Sequence, residues 1–204
     1  YQPVCREADA YEVIYSTDKA EFVRRDAGIE TRLEVTVSPE NAAEVRRLTL
    51  TNHNAQPHDL ELTSYAEVVL APHRADLAHP AFGKLFLETE FVPGPGALLC
   101  RRRPRAADQN PVWCVHVAAV DGSTLGELEY ETDRARFLGR GRTVALPAAL
   151  DPGAVLSGTT GPVLDPVVSL RRRVQVLPGA SVSVAFTTAV ATARAEALAL
   201  ADHY

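Results

Sequence analysis

The sequence contains no methionine, only two lysines (Lys19 and Lys84) among 21 basic residues, and three cysteines, Cys5, Cys100 and Cys114. An odd cysteine count without Cys-x-x-Cys spacing argues against a disulfide framework or a structural zinc site, and for a reducing, cytoplasmic setting. The net charge of -5 and the shortage of lysine argue against nucleic acid, whose phosphate backbone attracts a basic excess. No apolar run approaches the ~20 residues of a membrane-crossing helix, and no charged, apolar, small-residue leader opens the chain. This stretch is therefore expected to make no membrane contact of its own. The lack of methionine, with Tyr1 at the start, is expected of a segment of a longer polypeptide. G-x-G-x-x-G, Walker, G-x-S-x-G and H-E-x-x-H signatures are all missing, so motif chemistry names no catalytic residue and no cofactor. His73 and His79 lack the i, i+4 helical spacing of a zinc enzyme, so no metal site is expected.

What is present is period two. At 46% hydrophobic residues the chain can bury a core. Turn signals recur at Ser38-Pro39-Glu40-Asn41, Asn52 to Pro57, Pro93-Gly94-Pro95-Gly96, Asp121-Gly122-Ser123 and Pro178-Gly179. Between them, Thr31, Leu33, Val35 and Val37 alternate with Glu30, Arg32, Glu34 and Thr36, which places the first set on a core face. A long strand is expected where Leu60, Leu62, Ser64, Ala66, Val68 and Leu70 alternate with Asp59, Glu61, Thr63, Tyr65 and Glu67. Leu85 to Phe91 and Ala180 to Thr188 repeat the pattern. Val112 to Val120 is apolar on both sides, as for a central strand covered on two faces, with Trp113 in the packing. Such spacing predicts an all-β fold, a large antiparallel β-sandwich of about ten strands or more. Residues 1–191 would form it. Residues 192–204, rich in alanine with Arg194 and Glu196 near the start, predict a C-terminal helix. Its apolar face is thin, which suits the start of a linker to a further domain better than docking.

Two stretches break the alternation. Ala71 to Pro80 is a proline-bracketed loop carrying His73, Arg74, Asp76 and His79. Glu129 to Leu146 gathers Asp133, Arg134, Arg136, Arg140 and Arg142 around Phe137, Gly139 and Gly141. Guanidinium forks, a carboxylate and an aromatic ring on a shaped loop suit a polyhydroxylated or anionic ligand, and a solvated loop tied by Asp–Arg pairs explains the same residues. Tyr65 and Glu67 share the polar face of the long strand and point towards the same region. His53, His58 and His116 are expected in turns or packing. The triplets Arg101 to Arg103 and Arg171 to Arg173 are expected to be strand-edge charges, because successive side chains leave a strand on opposite faces.

Four blocks go beyond pattern. RRDAGIETRLEVTVSP (Arg24 to Pro39), LTSYAEVVLAPHRADLAHPAFGKLF (Leu62 to Phe86), ETDRARFLGRGRT (Glu131 to Thr143) and LDPVVSLRRRVQVLPG (Leu164 to Gly179) resemble the β-sandwich of the cyclic β-1,2-glucan synthases. These group with the cellobiose and chitobiose phosphorylases in glycoside hydrolase family 94, formerly glycosyltransferase family 36. The resemblance implies a galactose-mutarotase-like supersandwich, followed by a helical linker and an α/α barrel that holds the catalytic acid. Nothing in these residues corresponds to that barrel. It further implies a domain that is not itself catalytic, carbohydrate-binding or architectural, within a parent glycosyltransferase or glycoside phosphorylase. Its implied partners are a β-glucan or other oligosaccharide, the barrel of the same polypeptide, and a second subunit in a homodimer. The implied setting is cytoplasmic, including the cytoplasmic part of a membrane-bound parent. The matched stretches nominate Tyr65, Glu67, Arg74, Asp76, His79, Asp133, Arg134, Phe137, Arg140 and Arg142 as carbohydrate-binding residues. Departures from the family pattern, at His73 and the Gln109-Asn110 turn, fall in loops. Two other readings are a purely structural packing or dimerisation module, which predicts a broad exposed apolar patch, and an autonomous mutarotase-like enzyme, which needs a histidine and a carboxylate converging in one cleft.

Overall fold

The computed structural model describes residues 7–104 and 111–204, so Cys5 and the Gln109-Asn110 turn lie outside the described residues. The strands in chain order are β1 (Ala10–Tyr15), β2 (Lys19–Asp26), β3 (Ile29–Val37), β4 (Ala43–Asn52), β5 (His58–Thr63), β6 (Ala66–Glu67), β7 (Leu87–Val92), β8 (Ala97–Arg102), β9 (Val112–Asp121), β10 (Thr124–Asp133), β11 (Pro166–Val176) and β12 (Ser181–Ala191). The helices are α1 (His73–Ala78), α2 (Pro80–Lys84), α3 (Arg134–Leu138) and α4 (Arg194–His203). Eight strands form one sheet in the order β1-β2-β3-β4-β12-β9-β8-β7, and the smaller sheet runs β10-β11-β5 with β6 also paired to β11. The named strand pairings are antiparallel throughout. The β2–β3 hairpin turns through Ala27 and Gly28, both with positive φ, and a Cβ at Gly28 would collide with the Asn54 amide.

Alternation decides what the sheets bury. Leu50, Leu98, Cys100, Val184 and Phe186 of the large sheet meet Leu62, Val168, Leu170, Val174 and Val176 of the small one in the main core. Cys100 and Cys114 stand opposite each other on β8 and β9 as free, buried thiols. Burial pushes both thiols above their ordinary range, Cys114 to about 11.

The C-terminal helix forms where alanine content predicts it, yet it docks. Ala197 and Ala201 of α4 are buried on the outer face of the large sheet against Ala43, Ala97, Leu99, Val115, Ala189 and Ala191. Small side chains on both partners let the helix axis approach the sheet closely, so a thin apolar face suffices.

Three further expectations change. The long strand from Asp59 to Leu70 divides into β5 and β6 at Ser64, whose N–H still donates to the Leu170 carbonyl at 2.9 Å while its Oγ, in place of its carbonyl, accepts from the Leu170 N–H at 3.0 Å. Leu70 then turns with a φ of 45°. Val37, expected on a core face, is 69% exposed. The Arg171 to Arg173 triplet is not at a strand edge. It lies in β11, the central strand of the small sheet, and Arg171 is 1% exposed.

Candidate functional site

The residues nominated from the sequence divide into a group that converges and a group that does not. Tyr65 lies between β5 and β6, Glu67 ends β6, and Arg134 opens α3. Asp133 caps α3 by accepting the Ala135 N–H at 2.9 Å, which aims the first turn and with it Arg134. Gly139 ends the same helix at a φ of 82°, where a Cβ would approach the Ala148 Cβ to 2.7 Å. Arg134 Nε donates to Glu67 Oε1 at 2.8 Å, and the Tyr65 hydroxyl donates to the same oxygen at 3.0 Å. Lys84 Nζ stands 3.6 Å from Glu67 Oε2 and also pairs with Asp165, which in turn lies 3.6 Å from Arg134.

The result is a half-exposed hydrogen-bonding edge with no free acid or base. Burial works to raise the Glu67 carboxyl, and the hydrogen bonds from Arg134 and Tyr65, with the charges of Arg134 and Lys84, outweigh it and hold it below the usual range. The Tyr65 phenol is pushed up to about 12, first by burial and then by its bond to Glu67. At neutral pH Glu67 is therefore a carboxylate and Tyr65 a phenol, with the Arg134 guanidinium and Lys84 beside them.

Phe137 does not offer a free ring. It is buried with Leu138, Ala149 and Leu156, and its ring lies 4.7 Å from that of Tyr65. The loop around it is held from below by Arg171, which donates to Thr63 Oγ1 at 2.9 Å and to the Ala154 carbonyl at 2.6 Å, and also to the Ala149 carbonyl. Glu129 and Glu131 take the backbone N–H groups of Leu156 and Ser157. The segment from Glu129 to Leu146, which alternation left as one loop, is therefore strand, helix and pinned loop in succession.

The other nominated residues lie apart from this edge. Arg74, Asp76 and His79 belong to α1 and α2 or the residue between them, helices with no buried residue. His79 and Arg140 are exposed, and among the described residues no hydrogen bond or ion pair joins them. Arg142 pairs with Asp151 at 2.7 Å.

Beside Tyr65 a cleft of about 1090 Å³ opens between the sheets. Its walls are largely aliphatic, including Leu33, Leu48 and Leu50 on one sheet and Leu60 and Leu62 on the other. Its polar end holds Ser64, His116, Thr188, Glu44 and Arg46. His116 is 3% exposed, with Nε2 2.8 Å from Ser64 Oγ and Nδ1 2.9 Å from Thr188 Oγ1. Burial, aided by the charge of Arg46 and opposed by a hydrogen bond with the Thr187 backbone, lowers its pKa to about 4. Sequence reasoning treated His116 as packing and passed over Lys84, Ser64, Asp165 and Thr188. A signal was there, since Ser64, His116 and Thr188 are polar residues at positions where alternation points inward.

An antiparallel sandwich of this form, closed on one side by a docked helix, defines an all-β sandwich class. The chain belongs to the glycosyl hydrolase 94 supersandwich domain family, which it matches over residues 1–204. It is 43% identical over 180 residues to the cyclic beta-(1,2)-glucan synthase NdvB of Rhizobium meliloti (strain 1021). That match covers 88% of this chain and 6% of the relative, so the chain spans a small part of that protein. Among solved structures, a polysaccharide lyase superposes with a TM-score of 0.50 at 13% identity over 93% of this chain and 27% of the other. A galactose mutarotase related enzyme from Lactobacillus acidophilus gives 0.47 at 9% identity over 90% and 72%.

Proposed function

We propose that this is a non-catalytic domain of a cyclic β-1,2-glucan synthase-type polypeptide, architectural in the main, whose Tyr65–Glu67–Arg134–Lys84 edge faces saccharide. The observation that carries the reading is the state of that edge. Arg134 and Tyr65 hold Glu67 ionised and burial holds the Tyr65 phenol protonated, which favours hydrogen bonding to ligand hydroxyls over proton transfer. The mutarotase-like reading has His58 and His116 in one cleft with Asp26, Glu44 and Glu61, as it requires, and against it His116 is buried, neutral and bonded on both ring nitrogens to hydroxyl groups. A cytoplasmic setting goes with the free thiols, and among the described residues no helix is long and apolar enough to cross a membrane.

Titration with β-1,2-glucan oligosaccharides tests the binding half. Chemical shifts should move at Tyr65, Glu67 and the α3 backbone, and Arg134→Ala should abolish the response. Silence up to millimolar sugar leaves the architectural role alone. Anomer interconversion above the uncatalysed rate would overturn the non-catalytic assignment. The packing-module reading draws support from the aliphatic cleft and from Tyr11 and Tyr15, exposed on the strands beside it.

A further inference from the structure

The three consecutive arginines of β11 meet different surroundings. Arg171 and Arg173 leave the strand on its outer face, where Arg171 holds the carbonyls of Ala149 and Ala154, and Arg173 pairs with Glu61 at 2.6 Å and Glu129 at 2.7 Å. Arg172 leaves on the other face, the one that carries Val168, Leu170, Val174 and Val176 of the main core. Its register partner on β5 is Leu62, another core residue, and its neighbours along the face, Leu170 and Val174, are fully buried. Arg172 has nothing to hold there. Its Nε is the one buried side-chain nitrogen or oxygen without a hydrogen-bond partner among the described residues, and no ion pair or hydrogen bond with them engages its guanidinium. An unpaired cation among aliphatic side chains costs stability, so a fold that keeps one calls for a reason.

The small sheet is open beside this position. β10 pairs Leu125 with Arg173 and Glu129 with Arg171, so three residues, Gly126, Glu127 and Leu128, stand opposite the single position of Arg172. A bulge of this kind interrupts the ladder and bends its strand, and bulges are frequent next to active sites. Gly126 turns there with a φ of 69°, and a Cβ placed on it would meet nothing within 4 Å. Glu127 is exposed, and Arg172 as a whole is only partly buried, so solutes reach the guanidinium while Nε stays inside.

We propose that Arg172 is an anion site between the sheets and that its ligand is a carboxylate. Nε and one Nη of a guanidinium form a fork that takes both oxygens of a planar carboxylate, and Nε is the atom left without a partner. The surroundings select the charge. A single negative charge neutralises the cation, whereas a phosphate dianion would bring net charge beside Leu62, Leu170 and Val174. Chloride lacks the second oxygen for which the fork is shaped. The carboxylate comes either from a small organic acid entering at the bulge or from an acidic side chain of another segment, and the test separates these sources. The site lies apart from the Glu67 edge and does not depend on saccharide binding there.

The direct readout is the Nε–H resonance of Arg172, assigned by its disappearance in Arg172→Lys. In the 204-residue chain it should move saturably with formate or acetate and not with chloride at the same ionic strength. Stability supplies a second readout. Arg172→Met removes the unpaired charge and should raise the denaturation midpoint in chloride. Acetate well above its dissociation constant should raise the midpoint of the unsubstituted chain by about 2–4 °C more than that of Arg172→Met. In the full-length polypeptide, a resonance already at the shifted position identifies an acidic side chain as the source, and one that still responds to acetate identifies a free acid. The absence of a saturable shift up to about 100 mM acid in the chain, with an unshifted resonance in the full-length polypeptide, would sink the proposal. A stronger response to phosphate than to formate would refute the carboxylate assignment. A loss of stability in Arg172→Met, with no movement of the resonance, would make Arg172 a residue that holds the fold and binds nothing. The resonance is read on the unsubstituted chain, so the test does not depend on the folding of the methionine variant.

Discussion

The two halves of the eight-stranded sheet carry the same alternation and meet different neighbours. On β12, β9 and β8, inward residues such as Val184 and Leu98 are fully buried against Leu170 and Val174, and α4 covers the outer face. On β1–β3 the inward residues mix Val13, Phe22, Leu33 and Val35 with Arg24, Asp26 and Thr31, several outward ones are bound into charge pairs, and the inner face is only partly buried. Period two thus tells which face is made to be covered and is silent about what covers it. The cover is a tertiary matter, and here it separates a closed half that holds the core from an open half whose inner face is partly exposed.

The largest expected effect tests the closed half from its far side. Arg171 is buried at the centre of β11 and holds the carbonyls of Ala149 and Ala154 together with Thr63, with Glu129 3.5 Å away. Arg171→Met leaves those acceptors and the Glu129 charge without their donor and should destabilise the fold by about 3–5 kcal/mol, read from the denaturation midpoint. Leu170→Ala on the core side of the same strand should cost about 2–5 kcal/mol through the cavity left behind. Leu33→Ala in the 204-residue chain should cost less than about 1 kcal/mol, because partly exposed side chains lose little on truncation. Equal costs for Leu170→Ala and Leu33→Ala would erase the distinction between the halves. A Leu33→Ala cost that rises in the full-length polypeptide would sharpen it.

His116 sits where the halves meet, on β9 and facing the cleft. Its folded pKa of about 4 lies below the ordinary 6.5, so the folded state binds fewer protons than the unfolded state between those values. Stability from this group is full above pH 6.5, falls as pH drops through 6.5 towards 4, and levels off below. At about 1.4 kcal/mol per pKa unit the full swing is on the order of 3 kcal/mol. His116→Asn should flatten the slope of unfolding free energy between pH 6.5 and 5, where the paired carboxylates have not begun to titrate. An unchanged slope would mean that the imidazole is solvated in the folded state and that the cleft is wetter than its walls suggest.

Much of this was legible beforehand, and the failures share a cause. The strands, their inward faces and the family were readable because alternation and the four matched blocks are local along the chain. Ser64 was read as one more inward position. Its hydroxyl takes a backbone role opposite Leu170, 106 residues away, and divides the expected strand. Phe137 was chosen for a free ring, and the loop that buries it is fixed by Arg171, which no short-range pattern connects to it. Tyr65, Glu67 and Arg134 did converge. Lys84 and Asp165, which complete their charge balance, come from two other segments. Arg74, His79 and Arg140 were nominated by the matched stretches, and a match along the chain does not tell which loops meet in space.

The smallest effect belongs to the outer face of the open half. Arg32 donates to Glu21 at 2.9 Å across β2 and β3, with the Arg32 side chain 45% exposed. A pair of this kind gains little in water, so Arg32→Ala should change stability by about 0.2–1 kcal/mol at low ionic strength, and the difference should shrink as salt rises. The ladder matters for orientation more than for energy. It makes the outer face expensive to bury and leaves the inner face as the side on which another layer can settle. Replacing the outward set Glu21, Arg32 and Glu34 with threonine should therefore cost little folding stability while removing the asymmetry between the faces. Measured by sedimentation, the triple variant should self-associate at concentrations where the unsubstituted chain does not. If both behave alike, the charges on β2 and β3 have no part in keeping the open half facing one way.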